Sequence, residues 1–477
     1  MDAELREDAQ AILLSLPAAL EMPAGTGKTH LVAALAALAD EAGDRVLVLT
    51  HTHAGVDAIR TRLRSFGVAS RNVHVDTITG WAFDLVRSYP GIAGIDVPED
   101  PDWSSSSEYV AGATKVAQSR ALKSVHAASF TYFIVDEYQD CNHDQHEFVL
   151  AIAAAIPRTC VLGDRLQGIF NFRGQVLVDW DTQVFENFPL YPQAHMPRRW
   201  AGHNEALGQW LLEIRPALLA NTPIDLSAVA IPGFSWSTLN PAQLAGSAFA
   251  GRHDGESVLV LGQWPADANE LASKLNGIYG VMEDIQGNFM VTFLTSLDAA
   301  NPSDYAVLLA RFSKQCFSGL AGIDRAITDK LSRGETVGHL TRPGLASVQA
   351  ALDAILQAPT YESITVAMMK IGATKAIRLF KREAWNDVRK AIDTASNAET
   401  TAVGALGKIR DALRRTGRHA SKRVVSRTVL VKGLEYDHVI IANASLFTSS
   451  QNLYVALSRA RKTLTVFGVG SATQYRG

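Results

Sequence analysis

The stretch Ile134-Val135-Asp136-Glu137-Tyr138-Gln139-Asp140 decides how the rest of the chain is read. An apolar run containing Phe130, Tyr132, Phe133, Ile134 and Val135 stops abruptly at Asp136-Glu137. Unbroken apolar character over so few residues predicts a strand buried on both faces, as in a parallel sheet. Such a strand delivers its last side chains to the carboxyl edge, where ligands bind in α/β folds. The first carboxylate suits a divalent cation, and the second suits a water that must be oriented or deprotonated. By itself the pair also fits a solvated strand end, so the argument needs a second element.

That element is Pro23-Ala24-Gly25-Thr26-Gly27-Lys28-Thr29, set between a short apolar segment and an Ala/Leu-rich helix expected over about Thr29–Asp40. Glycines let a backbone curl until its N–H groups converge on phosphate oxygens, and the helix N-terminus adds a favourable dipole. Lys28 is placed to reach β and γ phosphates, and the Thr29 hydroxyl to complete a Mg²⁺ shell with Asp136. A strict phosphate-loop pattern has a glycine six residues before the lysine, where Met22 stands here.

From these two points the pattern extends outward. Helices are predicted at 2–16, Ala54–Phe66, Thr79–Ser88, 108–122 and 144–156. Strands are predicted near Leu20, at Arg45–Thr50, near Asn72–Val75 and at Thr159–Gly163. This alternation predicts a parallel sheet covered on both faces over residues 1–175, with a short insertion at about 84–128. A second α/β segment is expected over 176–281, with Ser257–Gly262 as its clearest strand. Helical periodicity dominates 282–420, including Ser347–Gln357 and Ala373–Thr394, and β-like runs return over 421–477 at Val424–Val431, His438–Ala442 and Leu464–Gly468.

Composition is that of an ordinary globular protein. Of 477 residues, 47% are hydrophobic and 19% charged, enough chain for two or more cores. A net charge of −3 argues against a uniformly basic coat but permits a local basic channel. Lys408, Arg410, Arg414, Arg415, Arg418, Lys422, Arg423 and Arg427 cluster in that way, either as a solvated helix face or as a phosphate-holding surface. Cys141, Cys160 and Cys316 are too far apart for a zinc or iron–sulfur spacing, and their scarcity suits a reducing cytoplasm. No signal-peptide core or membrane-length apolar run is present, so no membrane role is expected.

The acidic strand end and the phosphate loop together resemble superfamily 1 helicases of the UvrD/Rep group. Val48-Leu49-Thr50-His51-Thr52-His53-Ala54-Gly55 is similar to that group's motif Ia, and Asp76-Thr77-Ile78-Thr79-Gly80-Trp81-Ala82 to motif Ib. The run from Leu162-Gly163-Asp164-Arg165-Leu166-Gln167 to Phe170-Asn171-Phe172-Arg173-Gly174 resembles motif III. Pro197-Arg198-Arg199-Trp200 stands where the group carries Asn-Tyr-Arg-Ser. Val431-Lys432-Gly433-Leu434-Glu435-Tyr436-Asp437 resembles motif V, and Tyr454-Val455-Ala456-Leu457-Ser458-Arg459-Ala460-Arg461 resembles motif VI.

The resemblance implies two RecA-like parallel-sheet domains with a helical insertion in the second, binding Mg²⁺-ATP in their cleft. It implies γ-phosphate contact by Gln167, Arg199 and Arg459, base stacking by Arg198, and nucleotide contact by Gly433 and Glu435. It also implies nucleic-acid contact by Thr52, His53, Thr77, Trp81, Phe170, Phe172 and Arg173, with core packing as the alternative for the aromatics. His51 and His53 lack a third metal ligand. The expected activity is ATP-driven movement 3′ to 5′ on single-stranded DNA or a tailed duplex. Compact accessory regions favour one rival, a DNA-dependent ATPase sensor gating a nuclease or effector partner in repair or phage defence; a P-loop kinase or other small-molecule phosphotransferase is a second, against which the motif III and VI resemblances stand.

Overall fold

The computed structural model describes residues 1–68, 71–98, 105–171, 176–250, 255–275, 277–282, 288–398, 400–416 and 422–475. They form two compact units. One comprises Met1–Gly233, Phe447–Lys462 and Ala472–Gly477; the other comprises Phe234–Leu446 and Thr463–Ser471.

In the first unit, strands β1 (Ala18–Glu21), β2 (Val46–Thr50), β3 (Val73–Thr77), β4 (Tyr132–Val135) and β5 (Thr159–Gly163) form a parallel sheet in the order β1-β5-β4-β2-β3. Alternation along the strands sends side chains to two cores. Leu20, Val46, Val48, Ile134 and Leu162 pack beneath helices Ala3–Leu14, Lys28–Glu41 and His53–Ser65. Leu47, Leu49, Phe133, Val135 and Val161 pack beneath Ile78–Ser88, Ser106–Gln118 and His143–Ala153. Every residue of β4 and β5 is buried, which is why these strands read as largely apolar runs; each buried Phe, Ile, Val or Leu side chain among them contributes about 1.5–3 kcal/mol.

The consequence for the site follows from strand order. β1, β5 and β4 are neighbours and parallel, so their carboxyl ends lie side by side on one edge. The phosphate loop leaves β1, Asp164 follows β5, and Asp136-Glu137 follows β4.

The second unit has a six-stranded sheet in the order β6-β13-β12-β7-β11-β8. Its strands are β6 (Phe234–Thr238), β7 (Val258–Leu261), β8 (Gly280–Val281), β11 (Arg423–Ser426), β12 (Tyr436–Ile441) and β13 (Ala460–Gly468), the last entering this unit at Thr463. Between β8 and β11 lies a helical segment, Asn288–Thr416, with its own core: Phe312 stacks on Phe293 and Trp385 at centroid distances of 4.3 and 5.7 Å. The protein is thus α/β, built on two largely parallel sheets. No helix among the described residues is long and apolar enough to cross a membrane.

The structure departs from the sequence expectations at several points. The first unit runs to Gly233 instead of ending near 175, and it recovers Phe447–Lys462. Helix Ser450–Leu457 packs on the turn Arg165–Gln167, and the Ser450 hydroxyl donates to Asn221 at 2.8 Å. The helix expected over 108–122 is broken at Ser119, whose hydroxyl caps a new helix, Arg120–Ser129, by accepting from the Leu122 N–H. The helix expected over Ala373–Thr394 begins only at Arg382, because β10 (Arg378–Leu379) pairs with β9 (Phe317–Ser318). Val424–Val431 is a strand followed by the helical turn Thr428–Val431. Arg410 leaves the phosphate-holding reading of the basic cluster: it is buried, pairs with Asp387 at 3.0 Å and donates to Met290 Sδ. Arg418 lies outside the described residues.

Candidate functional site

The Gly25–Thr29 loop turns tightly between β1 and helix Lys28–Glu41. Gly25 and Gly27 have φ of +74° and +97°, and Gly27 is the N-cap of helix Lys28–Glu41. A Cβ on Gly25 would sit 2.7 Å from Arg199 Cβ and from the Trp200 ring, so a side chain there has neither backbone nor space. Pro23, Ala24 and Thr26 are buried, and the Thr26 hydroxyl donates to the Pro23 carbonyl.

Lys28, 10% exposed in its side chain, reaches Glu137 Oε1 at 2.9 Å and Asp136 Oδ1 at 3.9 Å. Burial opposes its charge, yet Glu137 and Asp136 together raise its pKa. Burial also raises the Asp136 carboxyl, against the pull of Lys28. A carboxylate desolvated to that degree favours a nearby cation. Glu137 has φ of +57°, a left-handed backbone unusual outside glycine. That turn aims its carboxylate at Lys28 while the Gln139 amide donates to its second oxygen.

Among the described residues no group of three or more His, Cys, Asp and Glu forms a metal cage. Mg²⁺ at nucleotide sites does not require one: it takes one or two carboxylates, with substrate oxygens and waters completing the shell. Asp136, with Thr29 on the first turn after the loop, fits that donor set.

Gln167 ends the turn Arg165–Gln167. Its amide donates to Asp164 Oδ2 at 2.9 Å, and its Oε1 accepts from Arg459 Nη2 at 3.3 Å. Arg459 is fully buried and further held by the Val455 carbonyl at 2.9 Å and the Ser458 hydroxyl at 2.8 Å. The turn Arg198–Trp200 packs on the phosphate loop: Arg199 N–H donates to the Gly25 carbonyl at 2.9 Å, and its guanidinium to the Ser458 carbonyl at 2.6 Å. Arg198 crosses Gly27, where a Cβ would meet its Cδ at 3.2 Å. Lys28, Asp136, Glu137, Gln167, Arg198, Arg199 and Arg459 therefore belong to one unit, together with the glycine loop. Gly433 and Glu435 belong to the other, on the exposed turn before β12.

The residues expected to touch nucleic acid divide. Thr52 and Phe170 line one cavity of about 270 Å³ with His51, Thr79, Asp140 and Asn142. His53 is exposed at the start of helix His53–Ser65. Thr77 is buried, and its hydroxyl caps helix Ile78–Ser88 by accepting from Gly80 N–H, which commits it to the fold. Trp81 is half-buried and packs among His74, Phe130 and His126 at 4.9, 6.1 and 6.5 Å, at the edge of the first unit's core. Phe172 and Arg173 lie outside the described residues.

Sequence reasoning missed Arg215, Glu21 and Trp200. Trp200 is fully buried and donates to the Ala460 carbonyl at 2.7 Å. Arg215 is the lone charge in the segment Ile214–Ala220. That was the available signal, since a cation in an apolar helix calls for buried partners.

Among known proteins, the model of the UvrD/REP helicase N-terminal domain matches residues 107–178. None of the curated proteins compared matches the chain. A solved structure of Pif1 helicase from Candida albicans is similar over 99% of this chain and 95% of its own, at 10% identity and a TM-score of 0.40. The segment similar to the UvrD/REP helicase N-terminal domain holds the acidic strand end and the Gln167 turn, two of the three carboxyl-edge elements that meet around Lys28.

Proposed function

We propose that this protein hydrolyses ATP in response to single-stranded DNA and moves along the strand 3′ to 5′. The observation that supports it most directly is the convergence of Lys28 on Glu137 and Asp136, beside the Gln167–Arg459 contact. Phosphoryl transfer needs phosphates cradled, a water aimed and developing charge neutralised. In this reading the Gly25–Thr29 loop and Lys28 hold the phosphates, and Thr29 and Asp136 hold Mg²⁺. The ion would neutralise charge on the β and γ phosphates when bound. Glu137 orients the attacking water, and Arg459, Arg199 and Gln167 answer the γ-phosphate. Thr52, His53 and Phe170 offer a hydroxyl, an imidazole and a stacking ring to a DNA strand, a mode with little sequence preference. The polarity is the one that goes with the UvrD/Rep resemblance.

The test combines ATPase assays with and without single-stranded DNA, a salt series, and strand displacement from 3′- and 5′-tailed duplexes. Expected are DNA-stimulated turnover, affinity that falls steeply with salt, and displacement from 3′ tails. Turnover indifferent to nucleic acid would end the motor reading, and preference for 5′ tails would reverse the polarity.

A further inference from the structure

Arg215 opens the short helix Arg215–Leu219 and is buried. Its guanidinium forks: Nη1 donates to Asp164 Oδ1 at 2.8 Å and Nη2 to Glu21 Oε1 at 2.7 Å. It also lies 5.2 Å from the centroid of the Tyr454 ring. These partners come from three separate elements. Glu21 ends the strand that feeds the phosphate loop, Asp164 follows the strand that leads to Gln167, and Tyr454 lies on helix Ser450–Leu457 just before Arg459.

Asp164 is completely buried and makes contacts through both oxygens. Oδ1 takes Arg215 and the Leu166 N–H, while Oδ2 takes the Gln167 amide. Because the amide nitrogen of Gln167 is held by Asp164, its oxygen faces Arg459. A carboxylate in that position requires a cation. Arg165 is engaged with Glu21 and Asp181. Removing Arg215 would leave Asp164 to draw on Lys28, whose charge it already favours and which is assigned above to phosphates.

We propose that Arg215 is a positioning residue for ATP hydrolysis: by satisfying Asp164 it fixes the Gln167 amide, and through it the oxygen that meets Arg459. The proposal rests on the nucleotide-site reading above. It also explains the residue type. A planar fork bridges carboxylates from two adjacent strands, whereas a lysine is a point charge that satisfies one of them well.

The experiment uses the full chain with single-stranded DNA and compares wild type, R215K, R459A, R215K/R459A, D164N and K28A. Read out are kcat, affinity for a fluorescent ATP analogue, and the thermal unfolding midpoint. R215K keeps the buried charge and is expected to lower kcat about tenfold with analogue affinity and midpoint nearly unchanged. Added to R459A, it should cause no further loss, because both act through one chain of contacts. Wild-type kcat in R215K, a loss that multiplies with R459A, or an equal fall in analogue affinity would overturn the proposal. If R215K does not fold, D164N decides by the same split between kcat and affinity. K28A separates the two levels: a wild-type rate there removes the nucleotide-site reading and the proposal with it, whereas an inactive K28A beside a fully active R215K removes the proposal alone.

Discussion

Replacing Glu137 with glutamine is expected to slow ATP turnover by about 10²- to 10⁴-fold, while ATP and single-stranded DNA still bind. Glutamine has nearly the same shape, so the packing around Lys28 and Gln139 is largely kept; what disappears is a carboxylate able to act on water. Lys28→Ala should behave differently. It removes the cation that sits 2.9 Å from Glu137 on the phosphate side of the loop, so hydrolysis and nucleotide affinity should fall together. Single-turnover hydrolysis beside equilibrium binding of a fluorescent ATP analogue distinguishes the two. Turnover near wild type in Glu137→Gln would strip that residue of its assigned role.

Arg459→Ala is expected to lower kcat by about 10²- to 10³-fold with a much smaller change in nucleotide affinity. That is the signature of a charge needed chiefly in the transition state. The side chain is fully buried and bonded to Val455, Ser458 and Gln167, so truncation also costs packing. Arg459→Lys therefore serves as a companion that keeps charge and most of the volume. If Arg459→Ala loses kcat at an unchanged unfolding midpoint while Arg459→Lys keeps a substantial part of it, the charge is responsible. Losses in Arg459→Ala and Arg459→Lys that simply track lowered midpoints would reduce the residue to a structural one.

Much of this site was legible because its signals are local. The apolar run into Asp136 is a strand whose residues are all buried, and glycines mark the loop because its backbone takes positive φ. What stayed hidden depends on partners far along the chain. Arg215 meets carboxylates 51 and 194 residues away, and no spacing rule foretells such a fork. Trp81 sits at helical spacing compatible with either exposure or core, and its half-buried packing against His74 and Phe130 depends on neighbours that spacing does not reveal. The overextended helix before Arg382 has a similar cause. Ala373 to Leu379 has adequate helix propensity, but pairing with Phe317–Ser318 overrides it. Ser119 looked like an ordinary polar helix position until its hydroxyl was seen to cap the next helix.

The left-handed backbone at Glu137 bears on how this protein could be engineered. Outside glycine and asparagine, that conformation costs on the order of 1 kcal/mol or more. A stability screen that ranks substitutions by backbone comfort would therefore select Glu137→Gly among its first changes. The gain would come from the one position where the chain holds its general-base candidate against its own local preference, and the thermostable product would be a catalytically silent one. With the role proposed above for Glu137, position 137 would be where stability and activity select opposite residues.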